Sequence, residues 1–176
     1  MGLKGGPTQD EVMAVSLAKL GIHPGDRVVD VGCGTGKVAI AASRLAERVY
    51  AIDRRAEAIA YARAQAAAAG ASNVEFFEGE AVEILPDLGP LDAAFVGGSR
   101  RLPEVLDLLA GTVQGRIVVN AVMIGTLQSA VATMQRLGIF VEAVHLQVSR
   151  SADIAGGTMF KPVNPVYIIV GGAGCS

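Results

Sequence analysis

The chain is predicted to fold as a doubly wound α/β sandwich, a seven-stranded and mostly parallel sheet with helices on both faces and one antiparallel strand. Three observations carry this. Runs of β-branched residues alternate with stretches of helical apolar spacing along the 176 residues, and parallel neighbours need such long crossovers. A glycine-rich turn follows the first of those runs, where a strand passes into a helix. The last two apolar runs have no helix-length spacer, so one should run against the rest.

Thr8-Gln9-Asp10-Glu11 reads as a capping box, in which a hydroxyl and a carboxylate three residues on satisfy each other's amides. It opens a helix through about Leu20, with Val12, Val15 and Ala18 on an apolar face. The turn His23-Pro24-Gly25-Asp26 leads into a buried strand over 27–31. A helix over 38–46, a strand over 49–53 and an alanine-dense helix over 57–69, stopped by Gly70, come next. The third strand spans 73–77, a single helical turn over 82–85 precedes Pro86, and the fourth strand spans 92–96. Pro103 begins a helix over 103–109, and 116–122 is the fifth strand. Ile124, Leu127, Val131, Met134 and Leu137 fall at helical spacing. Two closing strands over 140–148 and 163–170 flank a glycine-containing loop over 151–161.

This length suggests a single domain. Acidic residues number 17 and basic residues 15, a formal charge of −2, and charged residues are only 18%, which argues against disorder and against a polyanion-binding face. Hydrophobic residues make up 51% but aromatic ones only 5%, with no Trp, so the core is aliphatic and base-stacking platforms are scarce. No nucleic-acid partner is expected. Cys33 and Cys175 offer neither a disulfide framework nor a zinc spacing, and a reducing, cytoplasmic setting follows. His23 and His145 lack a paired ligand spacing, so no metal is expected. Gly5-Gly6-Pro7 and the polar residues after it stand where a signal peptide would be apolar. The stretch between Arg116 and Arg136 carries no charge, yet Asn120, Gln128, Ser129 and Gln135 interrupt it and its period changes midway, so it is not read as a membrane span.

Asp30-Val31-Gly32-Cys33-Gly34-Thr35-Gly36 ends the first strand and opens a helix, and its glycines let backbone approach a nucleotide-like ligand closely. The dinucleotide fingerprint G-x-G-x-x-G is missed by one residue, because Lys37 stands where its third glycine belongs. Asp30, two positions before the first glycine, suits a cationic group better than a pyrophosphate. Asp53 closes the second strand 21 residues after Gly32, where a carboxylate takes both ribose hydroxyls. Glu80 follows the third strand within reach of an adenine amino group. A cationic amino-acid end, a ribose and an adenine together describe S-adenosyl-L-methionine. Cys33 reads as a small residue tolerated by the loop, since no base neighbours it.

Four segments resemble the decarboxylating precorrin carbon-15 methyltransferases of cobalamin biosynthesis: Gly6-Pro7-Thr8-Gln9-Asp10-Glu11-Val12; the glycine loop with Tyr50-Ala51-Ile52-Asp53; Phe95-Val96-Gly97-Gly98-Ser99; and Gly156-Gly157-Thr158-Met159-Phe160 with Asn164-Pro165-Val166. The resemblance implies a Rossmann-like methyltransferase fold, methyl transfer from S-adenosyl-L-methionine to carbon 15 of a precorrin or cobalt-precorrin, and decarboxylation of the carbon-12 acetate side chain. Thr8, Cys33, Thr35, Arg54, Ala81 and Gly97 then join Asp30, Gly32, Gly34, Gly36, Asp53 and Glu80 as cofactor-binding residues. A corrinoid precursor carries many carboxylates, so Arg100, Arg101, Arg150 and Lys161, with Gly98 and Ser99, are the expected substrate residues. No catalytic residue is assigned, because in-line positioning of an electron-rich carbon supplies much of the acceleration in methyl transfer.

Rival readings are a methyltransferase of isoaspartyl protein, of a small phenol or of a tRNA base, and a non-catalytic subunit that binds S-adenosyl-L-methionine. The tRNA version calls for a basic face that a charge of −2 does not supply. The resemblance implies a homo-oligomer, a tetramer, and a carbon-5 methyltransferase as a partner; the long apolar stretch through Met123 and Ile124 offers the uncharged fifth-strand and following-helix region as the interface.

Overall fold

The order of strands follows from which residues tolerate burial on both sides. The computed structural model describes residues 6, 8–98 and 100–172. Ser99, Pro7 and Cys175 lie outside the described residues. The elements are α1 (Asp10–Leu20), β1 (Arg27–Val31), α2 (Lys37–Ala42), β2 (Arg48–Asp53), α3 (Ala56–Ala68), β3 (Val74–Glu78), α4 (Ala81–Ile84), β4 (Ala93–Val96), α5 (Leu102–Thr112), β5 (Arg116–Ala121), α6 (Ile124–Arg136), β6 (Phe140–Leu146), β7 (Ser149–Ile154), β8 (Gly157–Pro162) and β9 (Val166–Gly172). β1, β4 and β5 are buried along almost their whole length, and they occupy the middle of a seven-stranded sheet of order β3-β2-β1-β4-β5-β9-β6. All neighbours are parallel except at β9, which runs antiparallel to both β5 and β6.

Alternation along the strands divides the core in two. Val29, Val31, Ala94, Val96, Ile117 and Val119 pack with Leu106 and Leu109 of α5 and Met134 of α6. Val28, Ala93, Phe95 and Val118 point to the other face, with Val12 and Leu20 of α1, Val38 and Ala42 of α2, and Ile59 of α3. The same parity puts Asp30 and Asn120 on that second face, at the carboxyl ends of β1 and β5.

Three expectations are corrected. The capping box does not form: Gln9 is the cap residue and makes no side-chain cap hydrogen bond, and the Glu11 carboxylate turns to Arg150 of β7. The helix expected over 38–46 stops at Ala42, where Ser43 bonds its hydroxyl back to the Ile40 carbonyl and tight turns carry the chain into β2. Residues 151–161 are not a loop but most of the hairpin β7–β8, paired from Ser149↔Pro162 to Ile154↔Gly157. Its two-residue turn, Ala155-Gly156, has φ of +46° and +81°. Hairpin turns of this kind are usually announced by Asn-Gly or Asp-Gly, and alanine at the first position conceals the signal.

Candidate active site

Strand order reverses between β1 and β4, and the loops leaving their carboxyl ends diverge around a cavity of about 800 Å3. Gly32 and Gly98 meet at its floor: a Cβ on Gly32, whose φ is +76°, would lie 2.8 Å from the Gly98 nitrogen. The amides of Gly32 and Cys33 both donate to the Ile52 carbonyl, at 2.8 and 3.0 Å, and that of Gly97 donates to Val31 at 2.8 Å. Gly32, Cys33, Gly34 and Thr35 line one wall, and Gly97 and Gly98 the opposite one. Gly36 faces away. A Cβ there would meet the Ala62 Cβ at 2.8 Å, so this glycine admits α3 against the start of α2. Burial pushes the Cys33 thiol well above its ordinary range, which keeps it protonated.

Asp30 is 1% exposed and lines the cavity, yet neither carboxylate oxygen has a hydrogen-bond partner among the described residues. Burial pushes its carboxyl up to about 7. The Ala39 amide in α2 draws it down only in part, since it completes no hydrogen bond with either oxygen, and Asp53 adds repulsion. A buried carboxylate without a donor is an unmet demand for a cation.

Asp53 is also buried but well supplied. Its Oδ2 accepts the Gly34 amide at 2.9 Å, and its Oδ1 accepts the Arg55 amide and Nε at 3.0 Å each. Burial alone would raise its carboxyl, but Arg55 and the Gly34 amide hold it below the ordinary value. Arg54, exposed, lines the cavity beside it. Past β3, Glu80 and Ala81 form the next part of the wall. Glu80 Oε1 accepts Arg100 Nε at 3.1 Å, so an expected adenine contact and an expected substrate contact are bonded to each other. Arg101 also lines the cavity, with a left-handed backbone (φ +49°) as the cap residue of α5, and pairs with Glu104. Thr8 reaches the cavity from the chain entering α1, where Lys37 Nζ bonds its carbonyl at 2.8 Å and Asp10 at 2.7 Å.

Arg150 and Lys161 do not line this cavity. They face each other across the β7–β8 hairpin, and Arg150 is bound to Glu11. That guanidinium holds the Glu11 carboxyl down at about 2. Sequence reasoning missed Arg55 and Asn120. Both were visible, the one as a cation two residues after a strand-ending aspartate, the other as a lone amide in the run Ile117-Val118-Val119-Asn120-Ala121. Asn120 lines the cavity together with Val122 and the segment Val163, Asn164 and Val166 ahead of and in β9.

A family model described as a precorrin methyltransferase domain matches residues 4–171. The chain is 49% identical over 176 residues to a probable cobalt-precorrin-6B C(15)-methyltransferase (decarboxylating) of Methanosarcina acetivorans, covering 97% of this chain and 96% of the relative. Its fold superposes with a TM-score of 0.92 on the precorrin 8W decarboxylase of Methanobacterium thermoautotrophicum, at 36% identity over 96% of this chain and 92% of the other. A precorrin-6Y C5,15-methyltransferase structure from Geobacter metallireducens matches equally well, with a TM-score of 0.92, 34% identity, and 98% and 94% of the two chains covered.

Proposed function

The chain belongs to the precorrin methyltransferase family, and from that premise we propose that it transfers a methyl group from S-adenosyl-L-methionine to carbon 15 of a cobalt-precorrin or precorrin. The carbon-12 acetate side chain loses its carboxyl group as carbon dioxide on the same enzyme and is left as a methyl group. The observation that carries the cofactor reading is Asp30, a buried carboxylate without a hydrogen-bond partner among the described residues, facing a cavity that Asp53 at the end of β2 and Glu80 after β3 also line. An amino acid with an ammonium and a sulfonium fits that unmet charge, and a dinucleotide with its pyrophosphate does not. When bound, the cofactor supplies an electrophilic methyl group. The chain's own residues bind and orient: Asp53 takes the ribose hydroxyls in exchange for part of its contact with Arg55, Glu80 and Ala81 face the base, and Gly32, Gly34 and Gly97 keep side chains out of the way. Arg100 and Arg101, on the β4 side, serve the carboxylates of the substrate. A homo-oligomer working in the cytoplasm, with a carbon-5 methyltransferase acting on the same substrate, completes the reading.

Turnover of cobalt-precorrin with S-adenosyl-L-methionine labelled in its methyl group tests the reaction, and label retained in a decarboxylated tetrapyrrole is the expected product. Calorimetry tests the cofactor: S-adenosyl-L-methionine and its demethylated product bind, NAD does not, and Asp53→Ala loses about 1.5–3 kcal/mol of affinity. Equal affinity for NAD would end this reading.

A further inference from the structure

We propose that Asn120, positioned by Ser16, binds the carboxyl arm that the substrate loses. This rests on the reaction proposed above. An amide inside a buried strand is costly unless its polar atoms are met. Here α1 brings in Ser16, which is fully buried, and Asn120 Nδ2 donates to Ser16 Oγ at 2.9 Å. Asn120 Oδ1 lies 3.1 Å from the same oxygen, and Ser16 Oγ is also 2.8 Å from the Val12 carbonyl. The hydroxyl has one proton. With that proton on the Val12 carbonyl, Ser16 accepts one N–H of Asn120 and leaves the other N–H, in a residue that lines the cavity.

Placement favours the acceptor side of the reaction. Asp30, Phe95 and Asn120 lie on one face of three adjacent strands, with Asp30 beside Phe95, and Phe95 beside Val118 two residues before Asn120. Two strand spacings of roughly 4.8 Å separate β1 from β5, so a ligand anchored at Asp30 has Asn120 across the cavity from it. Four of the cations lining the cavity already face carboxylates: Arg55 faces Asp53, Arg100 faces Glu80, Arg101 faces Glu104 and Lys37 faces Asp10. Asn120 is a neutral donor beside Val122 and Val166.

A neutral donor suits a carboxylate that must leave. In decarboxylation the bond between the side-chain methylene and the carboxylate carbon breaks. Its electron pair passes to the methylene carbon and the conjugated ring, carbon dioxide departs, and that carbon takes a proton from water, leaving a methyl group. A guanidinium would stabilise the carboxylate before the bond breaks. An amide N–H orients it and withholds that stabilisation.

The test follows methyl incorporation and carbon dioxide release separately, using cobalt-precorrin labelled in the acetate carboxyl and the whole chain loaded with S-adenosyl-L-methionine. Asn120→Asp, close in shape but negatively charged, is expected to slow carbon dioxide release about tenfold or more relative to methyl transfer, with cofactor affinity within about twofold of the parent. Ser16→Ala should lower the same ratio less, as a positioning residue would. Asn120→Ala provides the same readout should the aspartate variant fail to fold. An unchanged ratio in every folded variant overturns the assignment, as does a parallel fall of both products with loss of cofactor binding. A parent chain that binds cofactor but neither methylates nor decarboxylates overturns the proposed reaction and this assignment together. A parent that does both, matched by its variants, overturns the assignment alone.

Discussion

Arg100 Nε stands 3.1 Å from Glu80 Oε1, joining the loop after β4 to the loop after β3 across the cavity. Under the proposed reaction Arg100 must exchange this carboxylate for one of the substrate, so its net contribution is a difference between two similar pairs. Both partners of the pair retain solvent contact, which weakens it further. The double replacement Arg100→Ala and Arg101→Ala is therefore expected to raise KM for the tetrapyrrole about tenfold and to blunt its salt dependence, with kcat nearly constant. Steady-state kinetics over a range of ionic strength would show this. A collapse of cofactor affinity with tetrapyrrole KM unchanged would place these arginines in the cofactor half instead.

Asp30 makes both stability and binding depend on pH. Its carboxyl sits at about 7 in the folded chain against an ordinary value of about 3.9, so between those values the folded state holds more protons than the unfolded one. Stability contributed at this position therefore falls as pH rises from about 4 to about 7, and Asp30→Asn should flatten that slope in thermal melts. Binding runs the other way. A cationic ligand selects the carboxylate, so affinity for S-adenosyl-L-methionine should tighten by up to about tenfold per unit as pH rises towards 7, with proton release visible by calorimetry in buffers of differing ionisation enthalpy. Affinity flat from pH 5 to 8 would contradict the placement of the cofactor's charge at Asp30.

Val122 and Met123, between β5 and α6, and Ile124, the first residue of α6, are 61%, 71% and 63% exposed. Consecutive apolar side chains in the open are typical of a surface that another chain covers. Light scattering at micromolar concentration should return a mass well above 18.0 kDa, and Met123→Asp should lower it. A parent mass near 18.0 kDa would rule out the expected homo-oligomer.

Ala155 holds φ at +46° in the turn between β7 and β8. An L-residue with a Cβ is strained there, and asparagine is better tolerated. Ala155→Asn should raise stability by up to about 1 kcal/mol, read as a higher denaturant midpoint at constant m-value. A lower midpoint would mean that the alanine methyl has a role that the turn geometry does not reveal.

Much of the fold was open to reading because it depends on neighbours in sequence. β-branched runs, helical spacing and stop signals such as Gly70 are local, and they placed α1, β1, β2, α3, β4, α5 and α6 to within a few residues. The missing helix-length spacer before the last strand likewise implied the antiparallel partner, because only a parallel neighbour needs a long crossover. The capping box and the loop over 151–161 failed for one shared reason. Whether Glu11 caps its own helix depends on Arg150, 139 positions away, and the β7–β8 hairpin that carries Arg150 closes through a turn whose leading alanine conceals it. The site divides along the same line. By itself the sequence determined the carboxylates Asp30, Asp53 and Glu80 at successive strand ends, since a glycine loop and strand lengths are enough to place them. Tertiary structure alone decided that Asp30 has no hydrogen-bond partner among the described residues, that Glu80 faces Arg100 and that Ser16 fixes Asn120. Those relationships join residues up to 104 positions apart, and their energies depend on burial and approach, which arise only when the sheet has packed.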